Sequence, residues 1–391
     1  MRILSVSFVA FALSFASAHA QSCGGGFGSF IDGLKTEAVA KGFDAKVVER
    51  FFASARLDSK VIRADRAQGI FQMPFIDFSR RLISQNRLNA GIQNGKKWDS
   101  VFDRVESEYG VSRGVLLAFW AFETDFGAVQ GNFNTVNALI TLAHDCRRPE
   151  LFRPQVFAAL ELFDRGDLDP ARTTGAWAGE IGMVQMLPED IIRNGVDGDG
   201  DGHVTLKTSA PDALLSGANL LSSLGWRKNE PWMQEVTMPA DFDWSQTGLE
   251  TWRPASEWLT AGVQPRSGSL AAPELEAAIL MPQGRQGPTF LVYPNYNVFF
   301  EWNQSFIYVT TAAYFATRLE GAPIYQPGNP TPALNEGQMK SLQQKLKDLG
   351  YDVGGVDGIL GARTRRAVQL EQERLGLPAD AWPTTGLLNA L

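Results

Sequence analysis

The chain has 391 residues, of which 44% are hydrophobic and 20% charged, and its formal net charge is −7. A chain of this length divides into two or three domains rather than closing on a single core, and the composition is that of a globular protein rather than a disordered or fibrous one. A negative balance without a polybasic run excludes nucleic acid as an expected partner and offers no patch for an anionic membrane surface.

Residues 1–20, MRILSVSFVAFALSFASAHA, carry one early cation at Arg2, an apolar run, and Ala18-His19-Ala20 at the end. This pattern predicts a secretory signal peptide cleaved before Gln21. The apolar run is too short for a membrane span and has no basic stop beyond it. Lipidation at Cys23 is also disfavoured, because Ala20-Gln21-Ser22 does not resemble a Leu-rich lipobox. The mature protein is therefore expected to be soluble and exported, without a membrane span. Export gives the two cysteines meaning: an even count in an oxidising compartment favours a Cys23–Cys146 disulfide over two buried thiols.

From residue 29 to about 320, apolar residues recur at three and four positions, predicting helices over Phe30–Lys41, Lys46–Ala55, Pro74–Arg87, Trp98–Tyr109, Ser112–Phe122, Arg153–Arg165 and Pro211–Leu224. Strand signal is sparse and clearest at Thr289–Tyr293. Residues 322–333, APIYQPGNPTPA, hold four prolines and no periodicity, the composition of a linker. The expected domains are thus 21–321, the linker 322–333, and a small unit at 334–391. In that unit Met339, Leu342, Leu346 and Leu349 share one helix face closed by Gly350. Asp357-Gly358 then makes a turn, and Thr364 is expected to cap a second helix.

Residues 119–127 read FWAFETDFG, placing one carboxylate, Glu123, among aromatic rings. Val115, Leu116, Phe119, Trp120 and Glu123 stand at helical spacing on one face, so Glu123 lies on the apolar side. Gly127 is a plausible terminator, which puts Glu123 in the last turn. Burial disfavours the anion, and the negative end of the helix dipole acts in the same direction. A glutamic acid kept protonated near neutral pH suits a general acid acting on a glycosidic bond. The competing reading is a buried structural Glu paired with Arg147 or Arg148, which spacing alone leaves open.

FETDFG, NTVNALITLA and RRPELF resemble the catalytic region of the B-type lytic murein transglycosylases. WAGEIGMVQMLPEDI, DGDGDGHVTL, PDALLSGANLLSSLGW and NYNVFFEWNQSFIYV continue the match, and DRAQGIFQMPFIDFSRRLISQNRLNAG precedes it, so the resemblance spans roughly residues 25–320. LQQKLKDLGY followed by DGILGARTRRAV resembles the three-helix peptidoglycan-binding module, with Glu371-Gln372 as its visible departure. The resemblance implies a mainly α fold: an α+β lysozyme-like catalytic domain with little strand, plus the small helical domain. It also implies cleavage of the β-1,4 bond between N-acetylmuramic acid and N-acetylglucosamine. Glu123 would act first as acid, then as base toward the muramic C6 hydroxyl, giving a 1,6-anhydro end. That intramolecular nucleophile removes the need for the second carboxylate of an ordinary glycosidase. Asp125, two residues on, faces away from Glu123 if helical.

Other roles carry over from the resemblance. Gln185 matches a substrate-contacting glutamine, whose amide suits N-acetyl and hydroxyl groups. Tyr308 matches an aromatic near the glutamate, Asn303 an asparagine of the same block, and Arg147 and Arg148 a basic pair suited to peptide-stem carboxylates. Glu180 stands where the family has a small residue; as a base it would make the enzyme a hydrolytic muramidase, and otherwise it would touch sugar or support the site. Ala176, Trp302 and Leu220 depart from the family's serine, tyrosine and aromatic positions, and Trp302 is either a sugar contact or core packing. The remaining alternative is a non-catalytic wall-binding scaffold. Glycan strands of peptidoglycan are the expected partner, wall-synthesis enzymes are possible further ones, and a monomer is expected.

VDGDGDGHVTLKTS resembles a calcium loop in which Asp197, Asp199 and Asp201 occupy alternate positions and His203 supplies a carbonyl. Thr208 stands where the closing Glu belongs; the family uses a later aspartate, here Asp212. One structural Ca2+ is expected, with no catalytic cofactor, against the reading of an Asp/Gly-rich turn without metal. His19, His144 and His203 form no zinc constellation.

Overall fold

In the computed structural model, residues 23–67 and 73–391 are described; the expected signal peptide, and residues 68–72 of the earliest matching block, lie outside them. Most helices begin where a short polar side chain takes up an otherwise orphaned N–H. Asp44, Ser84, Ser112, Asn134, Ser209 and Ser305 each accept from the first turn of the helix they precede. Ser84 also corrects one expectation. Pro74–Arg87 is not one helix but two, Phe75–Leu82 and Gln85–Lys97, because Ile83 leaves the helical region and Ser84 caps the second.

At the centre of the main helical body lies helix Arg113–Thr124, buried on almost every side, against helix Phe306–Leu319. The two backbones approach closely at Gly114, where an added Cβ would stand 2.7 Å from the Ala316 carbonyl oxygen. The Gly114 N–H donates to Glu320 Oε1 at 2.8 Å, locking the crossing. The N-terminus is fastened to this body twice: Cys23 is disulfide-bonded to Cys146, and the Gly24 N–H donates to the His144 carbonyl at 2.8 Å. The bond links positions 123 residues apart. Loop-closure entropy for that span predicts a loss of about 5 kcal/mol on reduction, to be read as a fall in Tm in the presence of dithiothreitol.

A five-stranded antiparallel sheet stands beside the helices, in the order Arg253–Pro254, Glu276–Leu280, Phe290–Val292, Met233–Thr237, Gln264–Pro265. Only one of these strands was expected from the sequence. Strand 276–280 explains why: Ala278 and Leu280 enter the main core, while Ala277 and Ile279 enter a second core with Trp258, Leu291 and Tyr293. Both faces are covered, so the polar half of the usual period-two alternation is missing.

The C-terminal unit has its own core of Leu334, Met339, Leu342, Leu346, Val353, Ala367, Val368 and Leu387. Leu349 is exposed rather than on that face. Thr364 is not the cap either: Gly361 precedes helix Ala362–Arg374, and the buried Thr364 hydroxyl donates to the Val353 carbonyl at 3.0 Å. Gln372 is buried and orders residues 380–382, donating to Asp380 and Trp382 and accepting from the Ala381 N–H.

That ordered loop and the neighbouring helix fasten the unit to the main body. The Arg365 guanidinium is buried, donates to the Pro282 carbonyl at 2.6 Å and lies 4.2 Å from the Phe306 ring centroid. Burial with no carboxylate bonded to it draws its pKa down to about 9. Gln369 donates to the Thr247 carbonyl at 2.7 Å, and Trp382 Nε1 to the Thr331 carbonyl at 2.9 Å. The irregular segment 322–333 is likewise held, with Tyr325 buried and its hydroxyl 2.8 Å from Ser79 Oγ.

Candidate active site

Glu123 is the penultimate residue of the central helix. The helix stops because Asp125, Phe126 and Gly127 successively take positive φ, so the terminator starts two residues before the glycine. Asp125 turns outward to Arg87, 3.0 Å away. Thr124 ties the helix end to the next loop: its hydroxyl donates to the Met183 carbonyl at 2.6 Å and accepts from the Gly127 N–H at 2.9 Å.

The Glu123 carboxyl opens on a cleft of about 430 Å³ whose walls include Ala176, Glu180, Gln185, Leu220, Trp302 and Asn303. Two donors meet at its Oε1: Trp302 Nε1 at 3.0 Å, and the Tyr308 hydroxyl. Trp302 is in turn stacked on Phe119, centroids 4.3 Å apart, and Tyr308 lies edge-on to Phe122. The same aromatic rings thus exclude water and aim the donors.

Burial raises the Glu123 pKa, the two hydrogen bonds act against it, and the Glu180 charge adds to the rise, leaving a value of about 7. The residue is half-buried and keeps part of its surface open to the cleft. Tyr308 is pushed well above its ordinary pKa by burial and by the carboxylate it bonds, so it remains a donor. Glu180 is also raised by burial, with Arg148 opposing, and its Oε2 is a buried atom with no hydrogen-bond partner among the described residues.

The other singled-out residues divide. Gln185 lines the cleft from a strained left-handed position, φ 54°, with its amide donating to the Gly182 carbonyl at 2.6 Å. Asn303 lines it too, while its Oδ1 accepts from the Ser305 N–H at 2.9 Å. Arg147 and Arg148 do not reach Glu123. Both bond Asp65, whose side chain is only 1% exposed. A buried carboxylate far away in sequence takes both cations, a pairing that spacing does not encode. Trp302 is more than core packing, because its indole N–H donates to Glu123 Oε1. Asp190 and Leu187 also line the cleft; the sequence signal for them is their place after Gln185, Leu187 just before and Asp190 within a helix that starts at Pro188.

In the acidic loop, carboxylate oxygens of Asp197, Asp199 and Asp212 lie within 4.8 Å of one another. Asp212 is fully buried and oriented by the N–H groups of Gly198 and Thr205, at 2.9 and 2.7 Å. Asp201 is not gathered with them: its Oδ1 accepts from the His203 N–H. The His203 ring bonds Asp167, while the atom expected from this residue is its backbone carbonyl.

A helical, lysozyme-like body with a glutamic acid of raised pKa, held by two neutral donors, at a cleft lined by Trp177 and Trp302 is the construction of a glycan-cleaving enzyme. Residues 26–317 match the transglycosylase SLT domain, and residues 335–391 match a putative peptidoglycan-binding domain; the chain belongs to the SLT-domain transglycosylases. SltB3 from Pseudomonas aeruginosa, solved in complex with NAG-anhNAM-pentapeptide, superposes with a TM-score of 0.85 at 34% identity, covering 94% of this chain and 99% of that one. Membrane-bound lytic murein transglycosylase B of Escherichia coli K12 is 25% identical over 235 residues, 58% of this chain and 64% of the E. coli protein's length. The fold is shared by Escherichia coli Slt35, solved with calcium, at a TM-score of 0.64 and 23% identity, covering 78% of this chain and 97% of that one. Among the described residues no helix is long and apolar enough to cross a membrane.

Proposed function

We propose that the protein is an exported peptidoglycan lytic transglycosylase that cleaves the N-acetylmuramic acid–β-1,4–N-acetylglucosamine bond without consuming water. The observation that carries this reading is Glu123 itself: a buried acid with a pKa of about 7, held by two neutral donors and no cation. Its protonated form gives the proton to the glycosidic oxygen, and the C1–O bond breaks. The resulting carboxylate is stabilised by Trp302 and Tyr308 and takes the proton of the muramic C6 hydroxyl. O6 then bonds C1, closing the 1,6-anhydro ring and returning Glu123 to its starting state. Gln185 and Asn303 are suited to orient the sugars. Digestion of purified sacculi, followed by mass analysis of the released muropeptides, tests the proposal. Anhydro ends, lighter by one water than reducing ends, are expected; absence of release would leave only a wall-binding protein.

Glu180 supports a second reading. It lines the same cleft with an unpaired oxygen, and as a general base toward water it would yield reducing ends in the same digest. Its pKa is raised by burial, which suits a base as well as an acid, so the products of the digest separate the two readings.

The gathered carboxylates of Asp197, Asp199 and Asp212 fit a hard, oxygen-seeking dication, and we assign them as ligands of one structural Ca2+. Calcium at a hundredfold excess over its Kd is expected to add about 2.7 kcal/mol of stability. Thermal melts should show a rise in Tm that a chelator reverses and that Asp212→Asn abolishes. An unchanged Tm at millimolar calcium would remove the assignment. The disulfide and residues 1–20 support a periplasmic location.

A further inference from the structure

We propose that the groove between the C-terminal unit and residues 300–307 is a subsite for the peptide stem of the glycan strand whose sugars occupy the Glu123 cleft. This rests on the peptidoglycan reading above and adds to it which part of the chain reads the peptide.

The groove encloses about 450 Å³. Phe300, Gln304 and Ile307 form its catalytic side; Asp357, Ile359 and Arg363 form the other. Its two walls do not drift apart freely. Arg365 and Gln369 fix the unit to the main body by side-chain to backbone hydrogen bonds, Trp382 fixes it to the held segment 322–333, and Arg365 lies over Phe306, itself a groove residue.

Position links the groove to catalysis. The chain that ends helix Asn295–Trp302 and starts helix Phe306–Leu319 separates the two cavities. Glu301, Trp302 and Asn303 face the Glu123 cleft, whereas Phe300, Gln304, Ser305 and Phe306 face the groove. A ligand lying in both must branch, one arm passing on each side of this connection. Peptidoglycan is such a ligand: its peptide departs sideways from the lactyl group of each muramic acid.

The chemistry of the walls suits a peptide rather than a sugar. Phe306 lies beneath Arg365, and Phe300 packs edge-on to Tyr296, centroids 5.5 Å apart, so both rings are already engaged. Ile359 and Leu360, both half-buried, offer apolar surface for alanine methyl groups. The Arg363 side chain is 68% exposed and meets Asp352 only at 3.6 Å, a weak surface contact that leaves its guanidinium fork for a carboxylate. Asp357 Oδ1 already accepts from Gln343 and the Ile359 N–H, and its exposed carboxylate keeps the negative charge that a free ammonium of the stem would meet. Gln304 spends one amide hydrogen on the Phe300 carbonyl at 2.5 Å, leaving its Oε1 to accept from a peptide N–H.

Binding to the full-length Glu123→Gln protein tests this without turnover. Calorimetry would compare the N-acetylglucosaminyl-N-acetylmuramoyl-pentapeptide with the same disaccharide lacking its peptide. The peptide-bearing probe is expected to bind about tenfold tighter, equivalent to about 1.4 kcal/mol. Arg363→Glu should erase that advantage and leave the peptide-free affinity unchanged; Gln304→Ala should reduce it in part. Equal binding of both probes by the parent overturns the proposal. So does an advantage that survives Arg363→Glu, or a variant that weakens both probes alike. Failure of the lytic chemistry would appear instead in the sacculus digest, which this binding comparison does not use.

Discussion

Glu123→Gln is expected to reduce muropeptide release by about a thousandfold, the scale on which a positioned general acid contributes. The amide keeps the shape of the side chain but has no proton to give the leaving oxygen and cannot take one from the C6 hydroxyl. Binding to sacculi should persist, because the C-terminal unit has a separate core. Release that persists at wild-type levels would move the chemistry to another residue, Glu180 first. Stability should respond in the opposite sense to activity. A carboxyl raised to about 7 in the folded state favours folding only while protonated. Its contribution is fully present below its unfolded pKa near 4.5 and is lost as pH rises through about 7. Glu123→Gln should therefore melt above the wild type at alkaline pH and with it below that unfolded pKa.

The second large effect is on pH. The free enzyme needs Glu123 protonated, so kcat/KM on a soluble glycan should fall tenfold per unit above about pH 7, about a hundredfold by pH 9. The neighbours move this limb in opposite directions. Tyr308→Phe removes a donor that favours the carboxylate, so the limb should shift to higher pH; Trp302→Phe should do the same. Glu180→Gln removes a nearby negative charge and should shift it lower. A limb that stays in place through all three variants would belong to some group other than Glu123. Lower turnover in Tyr308→Phe is expected alongside the shift, since the base form loses a partner.

The local features were legible in the sequence because their causes lie a few residues apart. Helical phasing places Glu123 on an apolar face, and the protein has it at the edge of a cleft, with the rings of Phe119 and Phe122 packed behind its two donors, Trp302 and Tyr308. Alternate aspartates mark the acidic loop. Phasing was weaker where an element changes mid-run, as at Ile83–Ser84, and it failed for the sheet, whose strands are buried on both faces.

By itself, then, the sequence determined the helical body, the small separate core near the C-terminus, and one glutamate on an apolar helix face beside a helix end. Periodicity and end signals are local, and burial follows from them. Tertiary structure decided who meets whom. It gave Arg147 and Arg148 to Asp65 and left Glu123 with two neutral donors, so that its pKa rises rather than being held down by a cation. It turned Trp302 from a packing residue into a hydrogen-bond donor. It also braced the C-terminal unit with a buried arginine, making one groove from two domains. Each of these depends on residues far apart in the chain reaching one another in a water-poor place, where a single partner decides the charge state.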